Sequence, residues 1–97
     1  MGPGKVSLLE AIAETGSISA AARRYGMSYR RAWLLVNEMN QALREPAVAT
    51  ATGGAFGGGA RLTTVGEEIV RRYRRVEATA YEAAAADIAA LEDLLAP

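Results

Sequence analysis

Apolar residues recur along most of this chain at the spacing of helical faces, and one glycine-rich stretch interrupts them. Between Lys5 and Thr15, Leu8, Leu9, Ile12 and Ala13 fall at i, i+1, i+4 and i+5, one face of a first helix over residues 5–15 that Gly16 caps. Ser17 stands as an N-cap, and Ile18, Ala21, Ala22 and Tyr25 form the inward stripe of a short second helix, residues 17–25, ended by Gly26. A third helix over residues 28–43 places Ala32, Leu35, Val36 and Met39 inward, and Pro46 stops it. The period then changes. Residues 47–51 and 61–63 are short Val- and Thr-containing segments around Thr52 to Ala60, a nine-residue loop with half of the ten glycines, so residues 47–63 form a small hairpin. Thr63 or Thr64 caps a last helix, with Glu67 in capping-box position after Thr64. Nothing in the sequence breaks that helix over residues 64–95.

At about 1.5 Å per residue such a helix is a rod on the order of 48 Å long, more than a domain of this size can cover. Ile69, Tyr73, Val76 and Ala80 form a seam along it, and Ala84, Ile88, Leu91 and Leu95 resume the seam after one slip. Part of the helix folds back over the first helix. Its excess length calls for a symmetric partner, so the expectation is a homodimer through helices one and four, with Leu8 and Leu9 joining the seam residues at the interface.

With 97 residues there is room for one domain and one modest core. The absence of cysteine and histidine removes disulfides, thiolate zinc sites and the commonest general base, so no catalytic residue, metal ligand or cofactor is expected and the chain is not read as an enzyme. No apolar run approaches the roughly 20 residues that span a bilayer, and the first residues open no signal peptide, so the expected compartment is the cytoplasm. Net charge is zero, but the charges are segregated. Residues 23–75 carry ten arginines against four glutamates, whereas residues 76–97 carry five acids and no base. Phosphates would attract the first region and repel the second.

Ala22 four residues before Gly26 permits two helices to approach closely and turn, and Ala21, Tyr25, Ala32 and Leu35 would fix the angle between them. Ser28, Tyr29, Arg30, Arg31, Trp33 and Asn37 then fall on the start and outer face of helix three, the part of a recognition helix that enters the major groove of double-stranded DNA. Arg30 and Arg31 oppose the helix dipole, which favours an anionic partner there. Trp33 either packs on a neighbouring helix or touches DNA, and Arg71, Arg72, Arg74 and Arg75 either contact DNA or form a solvated face. The glycine loop lacks the Lys-Ser/Thr of a phosphate-binding P-loop and offers Ala60-Arg61, so a wing carrying Arg61 to the DNA is the better account. The expected class is mainly α with a small β-hairpin wing: a winged helix-turn-helix with a long C-terminal dimerisation helix.

The runs Gly16-Ser17-Ile18-Ser19-Ala20-Ala21-Ala22, Met27-Ser28-Tyr29-Arg30-Arg31-Ala32-Trp33 and Asn37-Glu38-Met39-Asn40 resemble the molybdate-responsive regulator family ModE. Ala51-Thr52-Gly53-Gly54 and Gly57-Gly58-Gly59-Ala60-Arg61-Leu62-Thr63 resemble the same family's wing, and the frame is more distantly similar to LysR-type regulators. The resemblance adds Ser17, Ser19, Thr52, Gly53 and Gly54 to the candidate DNA contacts. It implies a dimer that represses or activates genes of molybdenum uptake and use. Full-length members continue into molybdate-binding domains and this sequence stops at Pro97, so sensing is expected to fall to a separate molybdate-binding or regulator protein. Two other readings stand beside this one: an interaction module forming mixed dimers with a full-length regulator, and oxyanion binding at the glycine loop.

Overall fold

The computed structural model describes residues 1–51 and 59–97. Pro3, whose fixed φ suits a first helical turn, opens α1 (Pro3–Thr15), and Gly16 closes it in the left-handed region at φ 70°, with its N–H donating to the Ile12 carbonyl at 2.8 Å. Ser17 accepts from the Ala20 N–H at 3.1 Å and starts α2 (Ile18–Arg24). Ser28 does the same for Arg31 at 3.1 Å and starts α3 (Tyr29–Ala42). Strands β1 (Val48–Ala51) and β2 (Gly59–Leu62) pair antiparallel with Val48 opposite Leu62 and Ala51 opposite Gly59. They are followed by α4 (Thr64–Ala83) and α5 (Ala85–Glu92).

α1 is the central element, covered by α2, β2 and α4. Val6, Leu8, Leu9, Ala11 and Ile12 are therefore all fully buried, a wider arc than one helical face. This corrects two expectations. Leu8 and Leu9, expected at a subunit interface, lie in the core of a single chain beyond a partner's reach, and Ala13, expected inward, is exposed. Burying each leucine contributes about 1.5–3 kcal/mol to this core. Ile18, Ala21, Ala22, Ala32, Val36 and Met39 close it from α2 and α3, while Tyr25 is exposed and sends its hydroxyl to the Ser7 carbonyl at 3.3 Å. Tyr25 caps the end of α2, past the buried stripe, so it rides over the edge of α1 instead of entering the core.

The link from α3 to the hairpin is held from two sides. From α3, the Asn40 side-chain oxygen accepts from the Ala47 and Val48 N–H groups at 2.8 and 3.2 Å, and its nitrogen donates to the Val48 carbonyl at 3.1 Å. From the start of α4, the Thr63 hydroxyl donates to the Pro46 carbonyl at 2.6 Å and its N–H to the Ala47 carbonyl at 2.9 Å. The same hydroxyl oxygen accepts from the Gly66 N–H at 3.1 Å, so Thr63 is the N-cap of α4. The third helical position is thus Gly66, and Glu67 stands one residue too late for the expected capping box. Space dictates the glycine: a Cβ there would collide with the Ala47 carbonyl oxygen and lie 3.1 Å from its carbon.

The expected unbroken last helix is divided at Ala84, where φ −101° and ψ 5° end α4 before α5 begins. The alanine run carries no glycine or proline to signal this, but the break falls where the apolar seam slips. α5 buries none of its residues, and the radius of gyration is 16.6 Å. A compact chain of this length would have about 12.5 Å, so the C-terminal helices reach out beyond the core.

Gly66→Ala should destabilise the fold by about 1–3 kcal/mol in urea unfolding, because backbone has to move. Helix propensity alone would give a gain of about 1 kcal/mol, so the sign of the change decides. Asn40→Ala should cost about 2–3 kcal/mol by stranding buried backbone groups. Asn40→Asp, which keeps the acceptor for two N–H groups, should cost less in the same experiment.

Candidate nucleic-acid interface

The turn between α2 and α3 is tight because three backbone bonds fold it back on α2. Tyr25 and Met27 donate to the Ala22 carbonyl at 3.1 and 3.0 Å, and Gly26, at φ 63°, donates to Arg23 at 3.2 Å. A bulky side chain at buried Ala22 would push the helices apart, and any residue but glycine at 26 would be strained. The turn delivers the N-terminus of α3 to the surface with Ser28, Tyr29, Arg30 and Arg31 all exposed.

Trp33 is 44 % exposed and so does not complete the core. Asn37, expected on the exposed face, is half-buried, as are Ser17 and Ser19 at the start of α2. Across the molecule, β2 alternates with Ala60 and Leu62 inward and Arg61 outward. The Ala60 N–H donates to the Gly16 carbonyl at 2.9 Å, which anchors the base of the wing beside the turn that begins α2. Arg61, Gly16 and the β1 residues Ala49 to Ala51 line one shallow depression there. Thr52, Gly53 and Gly54, and with them most of the loop considered for oxyanion binding, lie outside the described residues.

The arginines divide into two groups. Arg24 pairs with Glu14, Arg71 and Arg72 share Glu68, and Arg74 bridges Glu10 and Glu77 while donating to the Ser7 hydroxyl at 3.1 Å. Arg23, Arg30, Arg31, Arg44, Arg61 and Arg75 are exposed and, among the described residues, in no ion pair. The first turn of α3 contains no acid, so Arg30 and Arg31 add positive charge to the positive end of a helix. An anion placed there would relieve both. Three of the four arginines on α4, by contrast, are committed to neighbours within the chain. Hydrogen bonds donated to Glu10 and then to Glu77 hold the Arg74 guanidinium above its ordinary range, and the contact with Glu10 ties α4 to α1. Periodicity and charge in the sequence do not reveal the contacts of Asn40 and Arg74, whose partners lie on other elements or at the entry to β1.

Two helices joined by a glycine turn, the second flanked by a two-stranded hairpin, define the winged helix-turn-helix class of DNA-binding proteins. Residues 4–67 match the bacterial regulatory helix-turn-helix protein, lysR family, and the chain belongs to that family. Its sequence is 53 % identical over 78 residues to the molybdenum-pterin-binding protein MopB of Rhodobacter capsulatus, covering 80 % of this chain and 29 % of that protein. It is 40 % identical to the transcriptional regulator ModE of Yersinia pestis, covering 97 % of this chain and 37 % of that protein. The chain thus spans about a third of the length of these curated relatives. In fold it is similar to the crystal structure of the CbnR DBD–DNA complex, with a TM-score of 0.69 at 22 % identity over 94 % of this chain and 99 % of that one. The winged helix-turn-helix and the likeness to the DNA-binding part of ModE are as the sequence implied.

Glu68 gives the charge pairing on α4 a measurable signature. Hydrogen bonds from Arg71 and then Arg72 lower its carboxyl from the ordinary 4.5 to about 2. The pairing therefore stabilises the folded chain above about pH 4.5 and is lost as pH falls towards 2. An NMR titration should find the Glu68 midpoint near 2 at low salt. On this exposed surface, 1 M salt should move it back up. A midpoint unchanged in the double variant Arg71→Gln/Arg72→Gln would refute the pairing.

Proposed function

We propose that this chain is a dimeric, sequence-specific transcription regulator that reads a palindromic operator. The observation that carries this reading is the pair of exposed arginines, Arg30 and Arg31, in no ion pair among the described residues, at the capped positive end of α3. In this reading Ser28, Tyr29, Arg30, Arg31, Trp33 and Asn37 enter the major groove, with Ser17 and Ser19 at its edge on the backbone. Arg61 and the wing residues Thr52, Gly53 and Gly54 lie alongside. Arg can bond guanine bidentately and Asn can pair with adenine, so this set supplies both base readout and phosphate contact.

The dimer rests on surface that the single chain leaves open. Val76 is 65 % exposed, Leu91 63 % and Leu95 73 %; Ala80 is exposed as well, and Tyr73, Ala84 and Ile88 are half-buried. Ile69 already packs against the core, so it contributes to a partner only at its edge. A second copy seated along this face would bring a second α3 to the major groove about 34 Å further on. The names of MopB and ModE link the relatives to molybdenum and transcription, and we extend that link to this chain: it acts on genes of molybdenum transport or use in the cytoplasm, where its DNA would be.

The test is selection of duplexes from a random-sequence pool by the whole chain, followed by titration of the selected duplex at several salt concentrations. A palindromic consensus bound by two chains is expected. Arg30→Ala/Arg31→Ala should weaken binding and flatten the salt dependence, by a slope of about 0.9 for each phosphate no longer neutralised. Equal affinity and slope for the two proteins would sink the reading.

A further inference from the structure

The outer face of α3 carries one residue that its polar role does not explain. Leu34 is 49 % exposed, and at about 100° per residue it stands roughly opposite the buried Ala32 and Val36. Its neighbours one turn away on either side are Arg30, Arg31, Asn37 and Glu38, all polar. Leu34 and Leu35 together with Ser28, Arg30, Arg31 and Glu38 line a shallow, open depression on this face. Among the described residues, no other element closes over Leu34.

We propose that Leu34 reads the C5-methyl group of a thymine in the major groove. This rests on the reading above, in which α3 occupies that groove. Charge complementarity favours DNA as the occupant. Leu34 is flanked by two arginines that are in no ion pair among the described residues, at the positive end of a helix, and with Leu35 half-buried against the core the exposed apolar patch is too small for a protein partner. The nearby Glu38 carboxylate, which would repel phosphate, is drawn to Lys5 of α1 at 3.3 Å. In the groove, thymine is the base that presents an apolar group, while the edges of the others offer hydrogen-bond donors and acceptors. Leucine against the methyl removes apolar surface from water. Leucine against any other base would desolvate polar atoms without replacing their bonds. Leu34 would therefore set specificity at a base that the arginines do not contact.

The experiment uses the whole chain and a duplex it selects from a random pool, with each thymine in turn replaced by deoxyuridine, which lacks only the methyl group. At one position in each half-site, wild-type affinity should fall about fourfold, the worth of one buried methyl-sized group. Leu34→Ala, an exposed substitution to a strong helix former, should bind the thymine and deoxyuridine duplexes equally and keep the wild-type salt slope. Leu34→Met should retain the thymine preference. If wild type ignores every methyl, or if Leu34→Ala keeps the same preference, the role of Leu34 is overturned while the DNA-binding reading stands. A chain that selects no duplex would remove both.

Discussion

The side-chain amide of Asn40 is the contact on which the arrangement of this domain depends. It captures both N–H groups and one carbonyl of the chain just as that chain leaves α3 and enters β1. Without it, two backbone donors at the edge of the core would lack partners, and apolar packing alone would hold the hairpin against α3. Thr63 grips the same short segment from the far side, through Pro46 and Ala47, and its hydroxyl then caps α4. Gly66 allows that first turn of α4 to lie against the Ala47 carbonyl. One strand entry thus sets the positions of α3, the wing and α4 together. A DNA-binding surface built from a helix and a wing needs this, because a small error in either would misplace the other.

Charge follows a comparable division of labour. Where arginine serves the fold, it is paired: Arg74 joins α4 to α1 through Glu10 and Ser7, and Glu68 neutralises part of Arg71 and Arg72. Where arginine faces the proposed groove, at Arg30, Arg31 and Arg61, the described residues offer it no acid. Surface pairs contribute little to stability, and of those just named only the contact from Arg74 to Glu10 and Ser7 joins α4 to another element. The second group leaves its charge available to a polyanion. Zero net charge is compatible with DNA binding because five of the eleven acids lie beyond residue 75, where there is no base.

That far half is the least self-sufficient part of the molecule. α4 rests on α1 and β2 at its beginning, but Val76, Tyr81, Leu91, Leu94 and Leu95 are all more than half exposed. Exposed apolar area on this scale is unusual for an isolated chain and fits a face completed by another copy. The break at Ala84 falls where the apolar spacing of this face slips, so Val76 and Ala80 lie on α4 while Ile88 and Leu91 lie on α5.

Much of this was legible in the sequence because the signals are local. Helix caps at Gly16 and Ser17, the turn at Gly26 and the inward stripe Ala32, Val36 and Met39 each depend on residues within one or two turns of one another. The exposed arginine face of α3 follows from the same periodicity. Periodicity says which face of a helix is apolar, however, and not how many neighbours will cover it. Leu8 and Leu9 looked available to a partner until the fold surrounded α1 on several sides, and Tyr25 looked inward until its position at the edge of α1 was fixed. The Asn40 clamp, the collision that requires Gly66 and the tie from Arg74 to Glu10 join residues 7, 19 and 64 positions apart. The order of residues was therefore enough to set the local elements and the charged face of α3. Which residues meet across the chain was settled by packing in three dimensions, which leaves no periodic trace.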